Sequence, residues 1–551
     1  MTAETGLKDR FVVEHLPDAG QQPQYLFDLP QLQYPARMNS AVELIDRHVH
    51  EGRGDHIALR WLQDGRQEQM SYGALARWTN RLARVLTEDL GLVSGNRLLL
   101  RGPNNLCMAG ALLACLKAGI IAVPTMPLLR ARELGTILKI SRSQAALCDE
   151  RLLDELQHCR DPDNANYYEG LKQIIAFGSQ APDDMLARAD TKSDAPYDAQ
   201  TRRDDPCLIA FTSGTTGKPK GCIHFHRDVL AMCDTFSGQI LQTGPADIAC
   251  GTPPLAFTFG LGGLLCFPLR AGGSALLVEK LTPESFLDII QAHKVTMTFT
   301  APTFYRKMAE LAHGYRLDSL RTCVSAGEAL PDATRQLWKK ASGINMTDGI
   351  GGTEMMHVYI SSSGNDIRDG AIGRVVPGYQ ARVVDAAMNE VPPGTLGRLA
   401  VRGPTGCRYL DDERQSRYVQ QQWNLPGDAF VMDADGYFYY RARDDDMIVS
   451  AGYNIAGPEV ESVLMTHQAV NDCGVVGRSD GERGAIVKAY VVLNVGFTPS
   501  PELVTALQNH VKQEAAPYKY PREIEFVEQL PRTETGKLQR FVLRKMTESG
   551  S

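Results

Sequence analysis

One decapeptide, residues 212–221, constrains this chain more than any other stretch of its sequence. It reads Thr-Ser-Gly-Thr-Thr-Gly-Lys-Pro-Lys-Gly and follows an apolar run, residues 208–211, that is typical of a buried strand. Its three glycines let the backbone turn tightly and approach an anion, while its hydroxyls and ammonium groups supply donors and positive charge. The common phosphate-binding loop has a glycine where this chain has Thr212, and a Ser or Thr where it has Pro219. The decapeptide therefore predicts a polyphosphate-binding loop of a different type.

The amino-acid composition restricts the classes of function that this chain can have. Among the 551 residues, 43% are apolar and 22% are charged, which is typical of a globular protein of several structural units. The 58 basic and 65 acidic residues give a net charge of −7. A nucleic-acid-binding surface would need a basic excess, so we expect no nucleic-acid partner. The longest apolar stretch, residues 108–124, is broken by Lys117 and two glycines and is shorter than the ~20 residues of a membrane span, so we expect no membrane partner.

The twelve cysteines are scattered between Cys107 and Cys473 and form no Cys-x-x-Cys pair. This distribution lacks the spacing of a metal site, and the N-terminal residues show no apolar secretory segment. We therefore predict reduced, mostly buried thiols in a cytoplasmic protein.

Apolar segments alternate between strand and helix patterns along most of the chain. Predicted strands at residues 208–211, 295–299 and 322–325 are separated by helical patterns, which indicates parallel sheets covered by helices. Residues 373–401 instead show short strands around a Pro-Pro-Gly turn, which is typical of a small antiparallel sheet or β-barrel. The expected fold class is α/β, with two parallel-type sheets, covering helices and a small β-barrel in one large body.

A charged run, residues 441–446, marks a predicted hinge. The segment after it has its own pattern, with strands expected at residues 472–476 and 488–494. We predict a large N-terminal domain, residues 1–444, and a small mobile α+β domain, residues 445–551.

Further short motifs lie downstream of the decapeptide. Individually each is weak, because a Gly-Asp pair is usually a turn and a lysine near a terminus is usually solvated. The motifs are residues 325–331 (SAGEALP), 348–354 (DGIGGTE), 426–428 (PGD), Arg443 in the charged run, and 531–537 (PRTETGK).

In this order and at these distances, the motifs together resemble those of the acyl-adenylate-forming superfamily of acyl-CoA synthetases, nonribosomal adenylation domains and luciferases. The resemblance covers residues 35–545. Within the superfamily, the chain looks most like the aryl-CoA ligases for benzoate and 2-aminobenzoate. Residues 27–34 (FDLPQLQY) and 355–358 (MMHV) bring it nearest to the 2-aminobenzoate type.

This resemblance implies an ATP-dependent aryl-CoA ligase. Mg-ATP and an aromatic carboxylate would form an acyl-adenylate and pyrophosphate. Coenzyme A would then take the acyl group as a thioester and release AMP. The implied substrates and cofactors are ATP, Mg²⁺, coenzyme A and a small aromatic acid.

The resemblance also implies which residues bind the nucleotide. The phosphates would be gripped by the loop residues Thr212, Ser213, Gly214, Thr215 and Thr216, together with Lys220. The adenine would be framed by two glycine-containing segments: Gly327, Glu328 and Ala329, and Asp348, Gly349 and Ile350.

The same resemblance implies which residues contact the ribose, the α-phosphate and the metal ion. Asp428 and Arg443 would bind the ribose, where a carboxylate facing two hydroxyls makes charge-assisted hydrogen bonds. Thr353 would contact the α-phosphate. Glu354, with Thr212, would hold Mg²⁺, a hard cation that prefers oxygen ligands.

Lys537 is the residue that the resemblance assigns to the first reaction. One ammonium touching both the attacking carboxylate and the α-phosphate would lower the repulsion between the two anions. For the second reaction, the small domain would rotate about a hinge at Asp445. The coenzyme A tunnel would then be lined by Ala451, Gly452 and Tyr453, with Ala451 where many relatives have glycine.

The implied acid pocket consists of small and aromatic residues, namely Phe259, Ala326, Gly351, His357 and Val358. Phe257 and Phe259 have strand-like spacing, so we expect their side chains to point in opposite directions. Phe259 stands where benzoate ligases often have tyrosine. We expect His224 and His226, just past the phosphate loop, to be structural.

Two alternatives stay open from the sequence. The chain could load the phosphopantetheine of a carrier protein in trans instead of free coenzyme A. It could also be a catalytically silent nucleotide-binding relative, which would release no pyrophosphate with any acid. Both a monomer and a homodimer are compatible with the sequence.

Overall fold

The fold is described from a computed structural model of the chain. The residues that it describes are 5–63, 66–179, 181–197, 200–213, 219–327, 330–443, 446–450, 453–480, 483–515, 517–532 and 538–549.

The strands are, in chain order, β1 (Ile57–Gln63), β2 (Arg66–Ser71), β3 (Arg97–Arg101), β4 (Ile121–Thr125), β5 (Ala145–Asp149), β6 (Gln173–Phe177), β7 (Pro206–Ser213), β8 (Pro219–Phe225), β9 (Ile248–Gly251), β10 (Ser274–Leu277), β11 (Met297–Thr300), β12 (Thr322–Ser325), β13 (Thr347–Gly351), β14 (Val358–Ser362), β15 (Arg374–Val375), β16 (Gln380–Val384), β17 (Leu396–Arg402), β18 (Val419–Gln420), β19 (Trp423–Asn424), β20 (Asp428–Met432), β21 (Phe438–Arg443), β22 (Met447–Ser450), β23 (Tyr453–Ala456), β24 (Val470–Asp480), β25 (Gly484–Leu493) and β26 (Glu523–Phe526).

The α-helices are, in chain order, α1 (Phe11–Glu14), α2 (Arg47–His50), α3 (Tyr72–Arg84), α4 (Leu106–Ala118), α5 (Ala131–Ser141), α6 (Leu153–His158), α7 (Met185–Asp190), α8 (His226–Met232), α9 (Thr258–Leu261), α10 (Phe267–Ala271), α11 (Pro283–His293), α12 (Pro302–Leu311), α13 (Asp332–Ser342), α14 (Gln415–Tyr418), α15 (Gly457–Leu464), α16 (Pro501–Glu514) and α17 (Arg540–Ser549). Short 3-10 helices lie at Ala19–Gln21, Pro30–Leu32, Glu150–Leu152, Thr353–Met355, Gly364–Asp366 and Pro517–Lys519, and π-helical turns at Val42–Asp46, Val85–Asp89, Cys233–Leu241 and Gly262–Cys266.

The internal contacts of the chain divide it into two units. The first unit comprises Met1–Ala381 and Val401–Asn424, and the second comprises Arg382–Ala400 and Leu425–Ser551. The predicted boundary at residues 444 and 445 falls within the second unit by this division, and its role as a domain boundary stays a prediction.

One sheet of the first unit carries the decapeptide. Its strand order is β6-β5-β3-β4-β7-β8, in which the first five strands run parallel and β8 returns antiparallel to β7. The central strands β3, β4 and β5 are buried along their whole length, as expected for a parallel sheet covered on both faces. The side chain of Asn105 caps the first turn of α4, and Gly119, in the left-handed region with φ of 68°, ends this helix before β4 begins.

A second sheet of the same unit has the order β15-β14-β13-β12-β11-β9-β10-β1-β2. The strands from β13 to β1 are parallel, and β2, β14 and β15 are antiparallel additions. Because the carboxyl ends of parallel strands meet at one edge, the segments that follow β12 and β13 lie next to each other. This confirms the predicted parallel sheets.

The strands β17 to β21 pair antiparallel, as predicted for the region that begins after β15. Val401 pairs with Asn424 within the first unit, while Leu396, Gly397 and Arg398 pair with β20 within the second. The second unit also contains a sheet of order β23-β22-β25-β24, with β26 parallel to β25. Its helices α15 and α16 cover a core that includes Val460, Leu464, Leu507 and Val511. The small α+β domain expected near the end of the chain is confirmed.

The twelve cysteines all lie buried as free thiols, as expected. Within the described part of the chain, no helix has the length and apolar character needed to cross a membrane.

Candidate active site

The antiparallel pair β7–β8 frames the predicted phosphate loop. Thr212 pairs with Lys220, and Ser213 pairs with Pro219, across the end of this ladder. Thr212 and Lys220 therefore stand opposite each other at the entry and exit of the loop. Gly214, Thr215 and Thr216 lie outside the described residues, so their phosphate contacts stay predictions.

Lys220, Glu354 and Tyr409 meet at the exit of this loop. The Lys220 ammonium donates to the Tyr409 hydroxyl at 2.6 Å and lies 3.3 Å from Oε1 of Glu354. The Tyr409 hydroxyl in turn donates to the same Oε1 at 2.7 Å. A cation, a carboxylate and a phenol thus form a closed triangle beside the predicted phosphate site.

The turn that carries Thr353 and Glu354 follows β13. Gly351 ends the strand, and the 3-10 helix Thr353–Met355 begins after Gly352. A Cβ atom on Gly351 would lie 2.5 Å from the carbonyl oxygen of His357, so the turn closes on itself only with glycine at this position. The Thr405 hydroxyl donates to the carbonyl of Met355 at 2.7 Å and holds the turn from outside.

The two predicted adenine segments lie side by side. Ser325 of β12 pairs with Asp348 of β13, so Ala326 and Gly327 emerge next to Gly349 and Ile350. Gly327 has a φ of 94°, a left-handed conformation that favours glycine. Glu328 and Ala329 lie outside the described residues, and their role stays a prediction.

Asp348 is buried at the edge of this segment. The backbone N–H of Gly349 donates to its Oδ1 at 2.9 Å, and the Arg335 guanidinium lies 3.6 Å from its Oδ2. Burial raises the pKa of Asp348 to about 7, while Arg335 acts in the opposite direction. Burial therefore favours the protonated carboxyl group, and Arg335 favours the charged one.

The predicted acid-pocket residue His357 lies in a cluster of phenylalanine rings. Its ring centroid is 4.6 Å from Phe267, 5.4 Å from Phe236 and 5.7 Å from Phe259. Burial lowers the pKa of His357 to about 3, although the backbone of Phe259 acts in the opposite direction. The Phe259 backbone is the polar group near the imidazole, and neither ring nitrogen makes a well-formed hydrogen bond to any residue that the structure describes. The imidazole is thus neutral and brings polar atoms to a cluster of apolar rings.

The strand predicted from the spacing of Phe257 and Phe259 was wrong, whereas the opposite directions of their side chains stay a prediction. They do not lie on a strand: Phe257 is the residue before α9, and Phe259 lies inside this helix. The helix continues through the turn Gly262–Cys266 into α10, so the apolar residues of this segment follow a helical period. A Cβ atom on Gly262 would lie 2.6 Å from Cδ2 of His357, which shows how closely this segment packs on the imidazole.

Of the remaining pocket residues, Val358 is buried at the start of β14 and Ala326 is half-buried after β12. The Val358 side chain covers Gly349, since a Cβ atom at that glycine would lie 2.7 Å from Cγ1 of Val358. The structure therefore brings Phe259 and His357 together, and places Gly351 and Val358 on either side of the turn that bears Glu354.

The predicted ribose residues lie in the second unit and contact each other. Asp428 and Arg443 pair across β20 and β21, and Nη1 of Arg443 donates to Oδ1 of Asp428 at 3.0 Å. Asp428 is nearly buried, whereas about half of the Arg443 side chain is exposed. The paired guanidinium orients the carboxylate for hydrogen bonds to a ligand.

The remaining predicted residues of this unit fall on segments that are only partly described. Tyr453 begins β23 and pairs with Ser450. Asp445, Ala451, Gly452 and Lys537 lie outside the described residues, so their predicted roles as hinge, tunnel and catalytic residues stay predictions.

The oxygen ligands beside the phosphate loop are suitable for a magnesium ion that binds together with a nucleotide. The described residues contain no group of three or more His, Cys, Asp or Glu that could hold a metal ion alone. Mg²⁺ bound to ATP needs only one or two carboxylates besides the phosphate oxygens and water. The Glu354 carboxylate, beside Lys220 at the loop exit, meets that need.

Two residues near the site were missed from the sequence. Tyr409 follows Gly-Cys-Arg in a stretch without a recognisable motif, and Arg335 lies on α13 in an ordinary helical pattern. Only the pairing of distant segments reveals them, because each meets its partner across more than ten residues of chain.

A polar cleft of about 420 Å³ lies elsewhere on the first unit. It is lined by residues at the amino-terminal ends of β12 and β13, including Thr322 and Thr347. The predicted site residues follow the carboxyl ends of the same strands, so this cleft is not part of the candidate site.

Comparison with known proteins agrees with this geometry. A family model described as AMP-binding enzyme matches residues 45–408, and one described as AMP-binding enzyme C-terminal domain matches residues 459–537. The benzoate–CoA ligase of Thauera aromatica is 33% identical over 521 residues, which cover 94% of this chain and 97% of that protein.

Solved structures of CoA ligases are also similar to this chain. An anthranilate CoA ligase in complex with anthranoyl-AMP has a TM-score of 0.86 at 32% identity, covering 95% of this chain and 99% of the other. A benzoate CoA ligase from Burkholderia xenovorans LB400 has a TM-score of 0.80 at 31% identity, covering 92% and 100%. The chain belongs to the AMP-binding enzyme family of the acyl-adenylate-forming superfamily.

Proposed function

We propose that this protein is an ATP-dependent aryl-CoA ligase that activates 2-aminobenzoate or a benzoate-like acid. The acid carboxylate attacks the α-phosphate of ATP, which forms an acyl-adenylate and releases pyrophosphate. The thiol of coenzyme A then displaces AMP and forms the thioester. The relatives that are benzoate and anthranilate CoA ligases support this reaction class.

One observation carries the proposal. The turn with Thr353 and Glu354 is separated by two residues from His357, which lies among Phe236, Phe259 and Phe267. The carboxylate proposed to hold Mg²⁺ and an uncharged aromatic cluster are therefore adjacent in the first unit. A flat acid bound against this cluster would present its carboxylate toward the nucleotide phosphates.

The polar groups of the first unit have separate tasks in this proposal. Lys220 and Thr212 bind phosphate oxygens at the loop, and Thr353 orients the α-phosphate. Glu354 and Thr212 would hold Mg²⁺, which when bound neutralises phosphate charge. The acid needs no general base, because a benzoate-type carboxyl group is already ionised at neutral pH.

The adenine and ribose contacts complete the nucleotide site. Gly327, Glu328, Ala329 and the segment from Asp348 to Ile350 would frame the adenine. In the second unit, the Asp428–Arg443 pair would bind the ribose hydroxyls, and its 3.0 Å hydrogen bond supports that role. We also propose that Lys537 bridges carboxylate and phosphate during the first reaction, and that a domain starting at residue 445 then rotates for the second reaction.

The proposed identity of the acid is based on the side chains around His357, in the cluster that includes Phe259. The imidazole nitrogens of His357, which make no well-formed hydrogen bond within the described residues, offer a polar contact to a ring substituent, which favours 2-aminobenzoate over unsubstituted benzoate. Phe259 brings no hydroxyl to the ring. The buried free cysteines suit a reducing compartment, so we include a cytoplasmic location in the proposal.

The test is pyrophosphate release with a panel of substituted benzoates, cinnamates and fatty acids. We expect the highest kcat/KM with 2-aminobenzoate or benzoate. Activity with long aliphatic acids alone would contradict the aromatic assignment, and no release with any acid would favour a silent nucleotide-binding protein. Thioester formation with free coenzyme A, compared with a phosphopantetheinylated carrier protein, then identifies the acceptor.

A further inference from the structure

The Tyr409 hydroxyl lies between the two charged groups of the phosphate site. It accepts a hydrogen bond from the Lys220 ammonium at 2.6 Å and donates one to Oε1 of Glu354 at 2.7 Å. The ammonium also lies 4.6 Å from the centroid of the Tyr409 ring. Hydrogen bonds to ionised partners are about twice as strong as neutral ones, so this hydroxyl strongly constrains both charges.

The fold holds this tyrosine rigidly. Its segment pairs with β8, since the N–H of Ile223 donates to Arg408 and the N–H of Leu410 donates to Gly221. The N–H of Tyr409 itself donates to Oε1 of Gln415 at 2.9 Å. The residue is 1% exposed. Water therefore has little access to replace the hydroxyl if it is removed.

We propose that Tyr409 is a positioning residue for Mg·ATP, which keeps the Glu354 carboxylate available by holding Lys220 partly away from it. The proposal rests on the nucleotide site of the proposed function. In the present geometry the ammonium lies closer to the tyrosine oxygen than to the carboxylate, at 2.6 Å against 3.3 Å. Without the hydroxyl, Lys220 would turn fully to Glu354. A direct ion pair would then compete with the cation that the nucleotide brings.

A merely structural tyrosine would behave differently. Tyr72 is also fully buried, but its hydroxyl donates to the backbone carbonyl of Gly273 at 2.8 Å. Tyr409→Phe and Tyr72→Phe remove the same group from equally buried rings. Both should lose similar thermal stability, since each breaks buried hydrogen bonds. Only Tyr409→Phe should change a magnesium-dependent property.

The experiment is titration calorimetry of the full chain with ATP, once with excess Mg²⁺ and once with EDTA. For Tyr409→Phe we expect about tenfold weaker binding of Mg·ATP, as loss of hydrogen bonds to charged groups predicts. Metal-free ATP should show a smaller loss, because it loses only the phosphate contact of Lys220. Tyr72→Phe should bind both forms like the wild type. Equal losses for both forms of ATP, or no loss at all, would show that Tyr409 has only a structural role.

This readout needs no acid substrate, so it separates the two proposals. If the wild type binds Mg·ATP but activates no acid, the aryl-CoA ligase assignment is wrong, and the calorimetric comparison still decides the role of Tyr409. If acids are activated but Tyr409→Phe binds Mg·ATP normally, the positioning role alone is overturned. A wild type that does not bind Mg·ATP would overturn both.

Discussion

At the scale of single residues, His357 combines two imidazole nitrogens with a surrounding of phenylalanine rings. With a pKa of about 3, it stays neutral throughout the physiological range. A neutral imidazole can donate one hydrogen bond and accept another, whereas the rings of Phe236, Phe259 and Phe267 can do neither. This residue is therefore the group in the cluster that can distinguish an amino-substituted ring from an unsubstituted one.

We predict that His357→Leu changes selectivity among acids more than it changes the use of ATP. The ratio of kcat/KM for 2-aminobenzoate to that for benzoate should fall about tenfold, because a buried polar partner of the substituent is lost. Steady-state kinetics with both acids measures this ratio. Phe236→Leu is the matched control, since it removes a neighbouring ring without removing a nitrogen, and it should lower both values together. An unchanged ratio in His357→Leu would show that the imidazole does not contact the substituent.

Residues inside motifs could be predicted from the sequence, and residues that complete the site from elsewhere could not. Glu354 and His357 were expected near each other because a short segment contains both. Tyr409 contributes through a hydroxyl that reaches Glu354 from 55 residues away. A lone tyrosine between Arg408 and Leu410 has no local pattern that would indicate such a partner, so tertiary pairing with β8 decides its role.

At the scale of elements, the turn between β13 and β14 contains two adjacent glycines with different surroundings. A Cβ atom on Gly351 would lie 2.5 Å from the backbone oxygen of His357, a contact that a main-chain atom cannot relieve by rotating. At Gly352 the nearest atom would be Oε2 of Glu354 at 3.5 Å, an ordinary van der Waals distance. The extended backbone of Gly352, with φ of −161°, also accepts any residue.

Gly351→Ala should therefore lower stability and weaken ATP binding, whereas Gly352→Ala should retain the thermal midpoint of the wild type. Overpacking of this kind costs about 1–3 kcal/mol, and the displaced turn carries Thr353 and Glu354. Differential scanning calorimetry and ATP titration of both variants test this. Equal midpoints for the two variants would mean that the turn relaxes without strain.

The second unit contains a partly buried ion cluster that fastens α17 to α15. Nη2 of Arg540 donates to Oε2 of Glu461 at 2.5 Å, and its Nη1 lies 3.9 Å from Asp446. The backbone N–H of Val475 donates to the other oxygen of Glu461 at 2.8 Å. Burial raises the pKa of Glu461, and Arg540 acts against this rise.

Arg540→Leu should destabilise this unit, and more so at about pH 8 than at about pH 5.5. Removal of one partner leaves the other charge partly buried without its counter-ion, which costs at most about 3–5 kcal/mol. Without Arg540 the pKa of Glu461 rises further, so the folded form binds a proton more tightly than the unfolded form. The stability tied to this proton is present at low pH and is lost as the pH rises.

The matched control is Arg478→Leu, which removes an arginine from a pair with Glu523 that is about one-third exposed on both sides. A surface pair of this kind contributes at most about 1 kcal/mol and should show little pH dependence. Thermal unfolding at both pH values measures the two variants. Equal destabilisation by Arg540→Leu at both values would indicate that Glu461 remains ionised without its partner.

Strands whose apolar residues are continuous could be predicted closely, whereas the segment around Phe259 could not. The strand at residues 322–325 has the bounds of β12, because a short buried run flanked by polar residues fits little else. Phe257 and Phe259 alternate over three residues only, which suits a strand or the first turn of a helix. Packing of Gly262 against His357 selects the helix, and that contact is invisible in the local pattern.

At the scale of the whole molecule, the proposed reaction needs two active arrangements of one chain. The predicted phosphate loop, adenine segments and acid pocket belong to the first unit, while Asp428, Arg443 and the predicted Lys537 belong to the second. The chemistry of the two steps differs, because adenylation joins two anions and thioester formation brings in a thiol. A cation that reduces the repulsion between the two anions is therefore needed in the first step and not in the second.

We predict that Lys537→Ala and Asp445→Pro impair opposite steps. Loss of the ammonium should slow acyl-adenylate formation by about 10²–10³, as for other single contacts to a developing charge, yet leave thioester formation from supplied acyl-adenylate nearly intact. Proline at residue 445 fixes φ and should hinder rotation, so adenylation persists while thioester formation falls. Asp445→Ala, which leaves φ free, is the matched control. The test is to measure pyrophosphate release and thioester formation separately for each variant. If both variants lost both steps equally, the two-arrangement mechanism would not apply to this chain.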